Sequence, residues 1–224
     1  MNKRVKFLAV AAFGLFVGVA AYSQGVITAS AYFKTVSDYY STINDYEVDV
    51  DIVVGKKEMH GKASYKKPDL MRIDFSKPMD QVIIFNGNKL TVYLPDSSAV
   101  LEQELSSDSN RLNTASGLSL LSRYYVVSYE IGQEPVPLDE GSSEQVIKLI
   151  LTRRSVTEAF RTIKLAISAD TKTIRRVEAT PAKGGDSFVF NFSDYVINEN
   201  ISNQRFIYDP PSSANNYNNF LYTE

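Results

Sequence analysis

The chain has 224 residues, with 24 Lys and Arg against 26 Asp and Glu, one histidine and no cysteine. Without cysteine it has no structural disulfide, thiolate metal site or thiol nucleophile, and no lipid anchor carried on a cysteine behind an export signal. The balanced, slightly acidic charge argues against nucleic acid, which rewards clustered positive charge, and the length suits one domain with a sizeable core.

At the start, Lys3, Arg4 and Lys6 precede an uncharged apolar run from Phe7 to Tyr22, and Ala21-Tyr22-Ser23 fits a small-x-small cleavage site. This is the layout of a secretory signal peptide. The run is shorter than the roughly 20 apolar residues a membrane span needs, which favours cleavage over an anchor. Residues 1–23 are thus expected to be removed, leaving a soluble exported domain over 24–224. That domain carries 21 basic and 26 acidic residues, a net of −5.

Ala29, Phe33, Val36 and Tyr40 recur at helical spacing, and Thr28 or Ser30 can cap the helix. From 46 to 54, Tyr46, Val48, Val50, Ile52 and Val54 alternate with Glu47, Asp49 and Asp51, a strand with one dry and one acidic face. After the turn at Gly55, Met59, Gly61, Ala63 and Tyr65 alternate with His60, Lys62, Ser64 and Lys66. The two strands should pair as a hairpin, acids opposite lysines. Met71, Ile73 and Phe75 continue the dry face. Gln81 to Phe85 is apolar on both faces, so it should be a central strand covered on both sides. Asn86-Gly87 is a strong hairpin signal, and Leu90, Val92 and Leu94 then face inward.

Residues 108–125 suggest a second helix through Leu112, Leu118, Leu121 and Tyr125, weakened by Gly117. Residues 132–143, with two prolines and two glycines, read as an exposed loop. Alternation returns at Ile147, Leu149 and Leu151, at Ile163, Leu165 and Ile167, and at Ile174 to Glu178. Phe188, Phe190 and Phe192 put three aromatics on one face. The fold class is mainly β with α: nine to eleven strands in an antiparallel meander, curled because large sheets tend to curl, with both helices over the concave face.

The chemistry of catalysis is absent. His60 falls on the polar strand face, where a solvated role is the simpler reading, and no nucleophile–base set, phosphate loop or dinucleotide fingerprint occurs. Glu47, Asp49 and Asp51 read as a solvated face paired with lysines, and Arg153-Arg154 and Arg175-Arg176 as surface charge. No enzyme activity, metal or cofactor is expected. What remains is the apolar interior, and an incompletely filled one is a ligand site by geometry.

The order of segments resembles the LolA family of periplasmic lipoprotein carriers. The shared pieces are G-x-A-x-Y-K-K-P-D-L-M-R at 61–72, P-x-x-x-x-I-x-x-N-G at 78–87, V-Y-x-P at 92–95, F-R-T-I-K-L-A-I at 160–167 and F-I-Y-D-P-P at 206–211. The resemblance implies an open, incomplete β-barrel with a helical lid. It also implies a carrier that takes lipoprotein acyl chains from an inner-membrane ABC release complex to the outer membrane and an acceptor there. The alternative within the superfamily is a lipid-binding or envelope-stress sensor acting through a protein partner. On this reading Val50, Ile52, Met71, Ile73, Phe75 and Leu90 line the cavity with Val92, Leu94, Leu118, Leu121, Phe188 and Phe190. Lys67 and Arg72 are the candidates to hold the lid, by hydrogen bonds to its carbonyls. The best-studied branch has Arg where this chain has Lys67, and an aromatic and a tryptophan at the positions of Met71 and Ile73.

Overall fold

The computed structural model describes residues 26–104 and 114–220. The segment expected to be an export signal, the first third of the 108–125 segment (residues 108–113) and the end of the tail from Leu221, including Tyr222, lie outside the described residues.

Helix α1 (Ala29–Thr42) begins where Thr28 Oγ1 accepts the Ala31 N–H at 3.2 Å and ends at extended Ile43; the cap satisfies one of the donors every helix start leaves free. Its buried stripe is Ala29, Phe33, Val36, Ser37 and Tyr40. Six strands follow: β1 (Asp45–Val54), β2 (Lys57–Lys66), β3 (Leu70–Lys77), β4 (Val82–Asn86), β5 (Lys89–Leu94) and β6 (Ala99–Glu104). Then come α2 (Thr114–Tyr124), β7 (Tyr125–Tyr129), the two-residue β8 (Val136–Pro137), β9 (Gln145–Arg153), β10 (Phe160–Ser168), β11 (Ile174–Pro181), β12 (Phe188–Ile197) and the short β13 (Asn215–Asn218). The strands form one sheet in the order β13-β6-β5-β4-β3-β2-β1-β12-β11-β10-β9-β7, with β8 beside β9. Every pairing is antiparallel except β13 on β6.

Register carries one apolar face across this sheet. Val48 lies opposite Ala63, Ala63 opposite Ile73, Ile73 opposite Ile83, Ile83 opposite Val92 and Val92 opposite Leu101. On the other wing Ile52 lies opposite Phe190, which leads through Val177, Leu165 and Leu149 to Tyr129. The acid–lysine pairing of the first hairpin forms, with Asp49 to Lys62 at 2.6 Å, and His60 Nδ1 sits 2.5 Å from Asp51. At Gly61 the strands approach so closely that a Cβ would lie 2.6 Å from the Asp74 carbonyl oxygen. Only glycine fits there without a shift of the backbone.

The curled, barrel-like sheet expected from the sequence does not form. The strand order ends at β7 on one side and β13 on the other, and among the described residues no ladder joins them. The physical reason is visible in the burial. A barrel seals one face of its sheet all round, whereas over β3–β5 most of that face is only half-buried and Val82, Ile84 and Thr91 are buried on the other. Over β7 and β9–β12, α1 and α2 cover the apolar face, and Phe33, Val36, Leu118, Leu149, Leu165 and Ile167 form the larger core. Over β3–β6 the other face is covered, because Val82, Ile84, Thr91 and Val100 are buried with Phe206 of the C-terminal segment. The architecture is a mixed α/β open sheet, mostly antiparallel, with a second core of Val50, Ile52 and Phe75 between the wings.

Four features differ from the sequence reading. Tyr125 starts β7 instead of closing the second helix, β8 lies in the segment read as a loop, β13 is a strand within the tail, and the strands number 13. The tail runs beside β6 in parallel, a pairing that no local pattern announces.

Candidate functional site

Among the described residues, the inward positions on β3–β5 form an apolar strip outside the helix-covered core. Ile73, Ile83, Phe85, Leu90, Val92 and Leu94 are half-buried, and Met71 is 37% exposed. Neighbouring residues on the same face are core: Val50, Ile52 and Phe75 are buried, with Ile73, Ile83 and Phe190 packed on them. Leu118 is buried in the other cluster, and Leu121 and Phe188 pack against it. The residues expected to line a single cavity therefore fall into three groups: an open strip, a central core and a helix-covered core. Ile83 and Phe85 belong to the strip as well. Their signal was the alternation of β4 in register with Val92 and Leu90, hidden because β4 is apolar on both faces.

Three clefts are formed among the described residues. One of about 490 Å³ lies between α1, α2 and β7, with Phe33, Tyr125 and Val127 as its floor and Lys34, Asp38 and Arg154 at its rim. A second, of about 360 Å³, lies between the β4–β6 face and the C-terminal segment at Asn203 and Phe206 to Tyr208. A third, of about 200 Å³, is charged, lined by Glu130, Lys148, Lys164, Arg176 and Glu178. Among the described residues no group of three His, Cys, Asp or Glu could hold a metal, and no helix is long and apolar enough to cross a membrane.

Lys67 and Arg72 do different things. Lys67, in the turn between β2 and β3, donates from Nζ to the Ser41 carbonyl in the last turn of α1. Cations at a helix C-terminus are favoured by its exposed carbonyls. The same end of α1 is pinned by Tyr40, whose hydroxyl accepts the buried Ile174 N–H at 2.9 Å and lies 3.5 Å from the Tyr195 hydroxyl. Burial pushes the Tyr40 hydroxyl well above the usual tyrosine range, so it stays neutral.

Arg72 stands on the opposite face. Its Nε and Nη2 bind Asp74 at 2.7–2.9 Å, its Nη1 donates to the Arg205 carbonyl at 3.1 Å, and its guanidinium lies 5.6 Å from the Tyr208 ring. Arg205 in turn donates to Asp74 at 2.5 Å and to Ser64 at 3.2 Å. This network fastens the C-terminal segment to the sheet. Arg205 was not legible as a partner, since it is 131 residues from Asp74 in the chain. Burial raises the Asp74 carboxyl, but the hydrogen bonds and charges of Arg72 and Arg205 outweigh it, and the net direction is down. A lowered folded pKa stabilises the protein above the unfolded value, about 3.9 for Asp. The contribution is lost as pH falls through the lower folded value. Asp74→Asn is expected to cost roughly 1 kcal/mol near pH 7, discounted for partial exposure. In urea titrations the difference from wild type should vanish in strong acid; a difference constant from pH 7 to pH 2 would show that the carboxylate charge is irrelevant.

A family model described as "Outer membrane lipoprotein carrier protein LolA" matches residues 53–209. The outer-membrane lipoprotein carrier protein of Pseudomonas paraeruginosa is 24% identical over 159 residues, covering 69% of each chain. Among solved structures, an uncharacterized conserved protein from Thermus thermophilus superposes with a TM-score of 0.57 at 14% identity, over 83% of this chain and 98% of that one. That likeness shows a shared fold. The MucA/MucB complex of Pseudomonas aeruginosa matches with a TM-score of 0.47 at 10% identity, over 81% of this chain and 62% of that one.

Proposed function

The chain belongs to the LolA family of outer membrane lipoprotein carrier proteins, periplasmic and non-enzymatic, and from that premise we propose that it binds lipoprotein acyl chains along the open strip of β3–β5. The observation that carries this reading is the half-buried run Ile73, Ile83, Phe85, Leu90, Val92 and Leu94 on one face of three adjacent strands. Each methylene removed from water contributes about 0.8 kcal/mol, so an acyl chain of about 16 carbons gains on the order of 10 kcal/mol if fully covered. Partial cover on an open strip gives a smaller gain and permits release. Met71, adaptable in shape, stands at the edge of the strip.

Two roles follow from such a surface. In the first, the protein relays acylated lipoproteins from an inner-membrane ABC release complex to the outer membrane. In the second, it detects lipid in the envelope and responds through a protein partner. The open sheet favours the second. Long transit through water calls for an enclosed chain, whereas an unsealed strip leaves a bound chain within reach of another protein. The test is a fluorescent fatty-acid probe, followed by incubation of loaded protein with outer-membrane vesicles and with periplasmic extract. No probe binding would sink acyl recognition altogether. Transfer to vesicles without a stable protein complex would establish the relay, and a stable complex without transfer the sensor.

Lys67 is expected to act on release. Lys67→Leu removes the bond to the Ser41 carbonyl and should raise the probe's dissociation rate about threefold, the scale of one exposed charge-assisted hydrogen bond. Its affinity should otherwise change little. Stopped-flow release rates identical to wild type would remove Lys67 from the mechanism.

A further inference from the structure

β7 ends the sheet, and among the described residues no backbone pairs with its outer edge. In antiparallel pairing, residues that exchange both backbone bonds alternate with residues that turn theirs away. The Arg154 N–H donates to Tyr124 O at 2.8 Å and the Glu130 N–H to Lys148 O at 2.9 Å. In the same register Val126 faces Thr152 and Ser128 faces Ile150. The even-numbered residues thus bond to β9, and the N–H and C=O of Tyr125 and Val127 point away from the sheet. Among the described residues no backbone bond joins these groups to another segment. Edge strands are usually protected by charge, proline or a bulge. The sequence Tyr-Val-Val-Ser-Tyr has no charge or proline, and its register is unbroken.

The surroundings of this edge define what fits it. On the helix side lies the cleft of about 490 Å³, whose floor includes Tyr125 and Val127 themselves. On the other side Tyr124 and Val126 are 50% and 44% exposed. A strand added here would send alternate side chains into the cleft and against Tyr124 and Val126. At the Tyr124 end stand Arg123 and Arg154, both exposed and in no ion pair among the described residues.

We propose that the β7 edge receives an extended segment of a protein partner by strand addition. That segment is apolar at its centre and acidic at the end that meets Arg123 and Arg154. Main-chain bonds to Tyr125 and Val127 supply affinity, and the cleft and the arginines supply selection. The inference gives the sensing role its contact surface and rests on that reading. The edge and the acyl strip lie in opposite wings of the sheet, so each can fail alone.

The probe is a capped nonapeptide of alternating valine and threonine with two terminal aspartates, made with the aspartates at either end. Binding to the full chain is followed by amide hydrogen exchange. One version is expected to slow exchange at Tyr125 and Val127 at least tenfold. N-methylation of the peptide's alternate amides should abolish that protection, and Arg154→Glu should weaken binding about fivefold. The proposal is overturned if millimolar peptide leaves both amides unprotected, or if N-methylation or replacing the aspartates with lysines makes no difference. It is also overturned if the two amides are already protected in a concentration-dependent way without peptide, which would assign the edge to a second copy of the chain. Peptide protection in a protein that fails to bind the fatty-acid probe would remove the acyl reading and leave the docking edge standing.

Discussion

Phe33→Ala is expected to destabilise the protein by about 4 kcal/mol, the usual range for an aromatic truncated in a close-packed core, and to lower Tm by roughly 10 °C. Phe33 is 2% exposed, in the cluster where α1 meets Leu149, Leu151 and Leu165 of the sheet. Truncation leaves a cavity that those strands, fixed by their ladders, can fill only in part. Met71→Ala is the comparison. Met71 is 37% exposed on the open strip, and the same truncation there should cost about 1 kcal/mol or less. A calorimetric difference between the two variants of under about 2 °C would mean that the helix-covered wing and the open wing are not energetically distinct.

The contrast also marks what was legible in the sequence. Period-two alternation placed Val48 to Val54, Met71 to Phe75 and Leu90 to Leu94 on one face, and register confirms that these residues share it. The double-sided apolar character of 81–85 announced a strand covered twice, but only one side is: Val82 and Ile84 are buried, while Ile83 and Phe85 on the other side are half-buried. Closure was not legible. Whether a large sheet curls into a barrel depends on which faces the connecting segments cover, and here the decisive cover is Phe206 and its neighbours, packed far from β4 in sequence. The position of Arg72 was lost for the same reason. Alternation opposite Met71 and Ile73 put it on the polar face, yet the family resemblance implied a role at the lid. Its face decided its partners: Asp74 and the Arg205 carbonyl. Tyr125 reads as helical because Leu118 and Leu121 carry a helical period straight to it, and the change of period falls between Tyr124 and Tyr125.

Val92→Glu is expected to reduce affinity for a fluorescent fatty acid by about thirtyfold or more. Val92 lies in the middle of the strip, between Ile83 and Leu101, where a bound chain would strip water from a carboxylate. Burying a polar group without a partner costs about 1–3 kcal/mol by mutational measures, and more for a charge; about 2 kcal/mol is roughly thirtyfold in an equilibrium constant. The fold should survive, because Val92 is half-buried and in neither of the two core clusters. In the probe-free state the carboxylate can remain hydrated, so far-UV circular dichroism and Tm should stay near wild type. Val196→Glu is the matched control, an exposed valine on β12 opposite Glu47, on the face away from the strip. Equal probe affinity in the two variants would show that acyl chains bind elsewhere, and the 490 Å³ cleft between α1, α2 and β7 would become the place to look. Lost affinity in Val92→Glu with an unchanged Tm would locate recognition on the open face of the sheet.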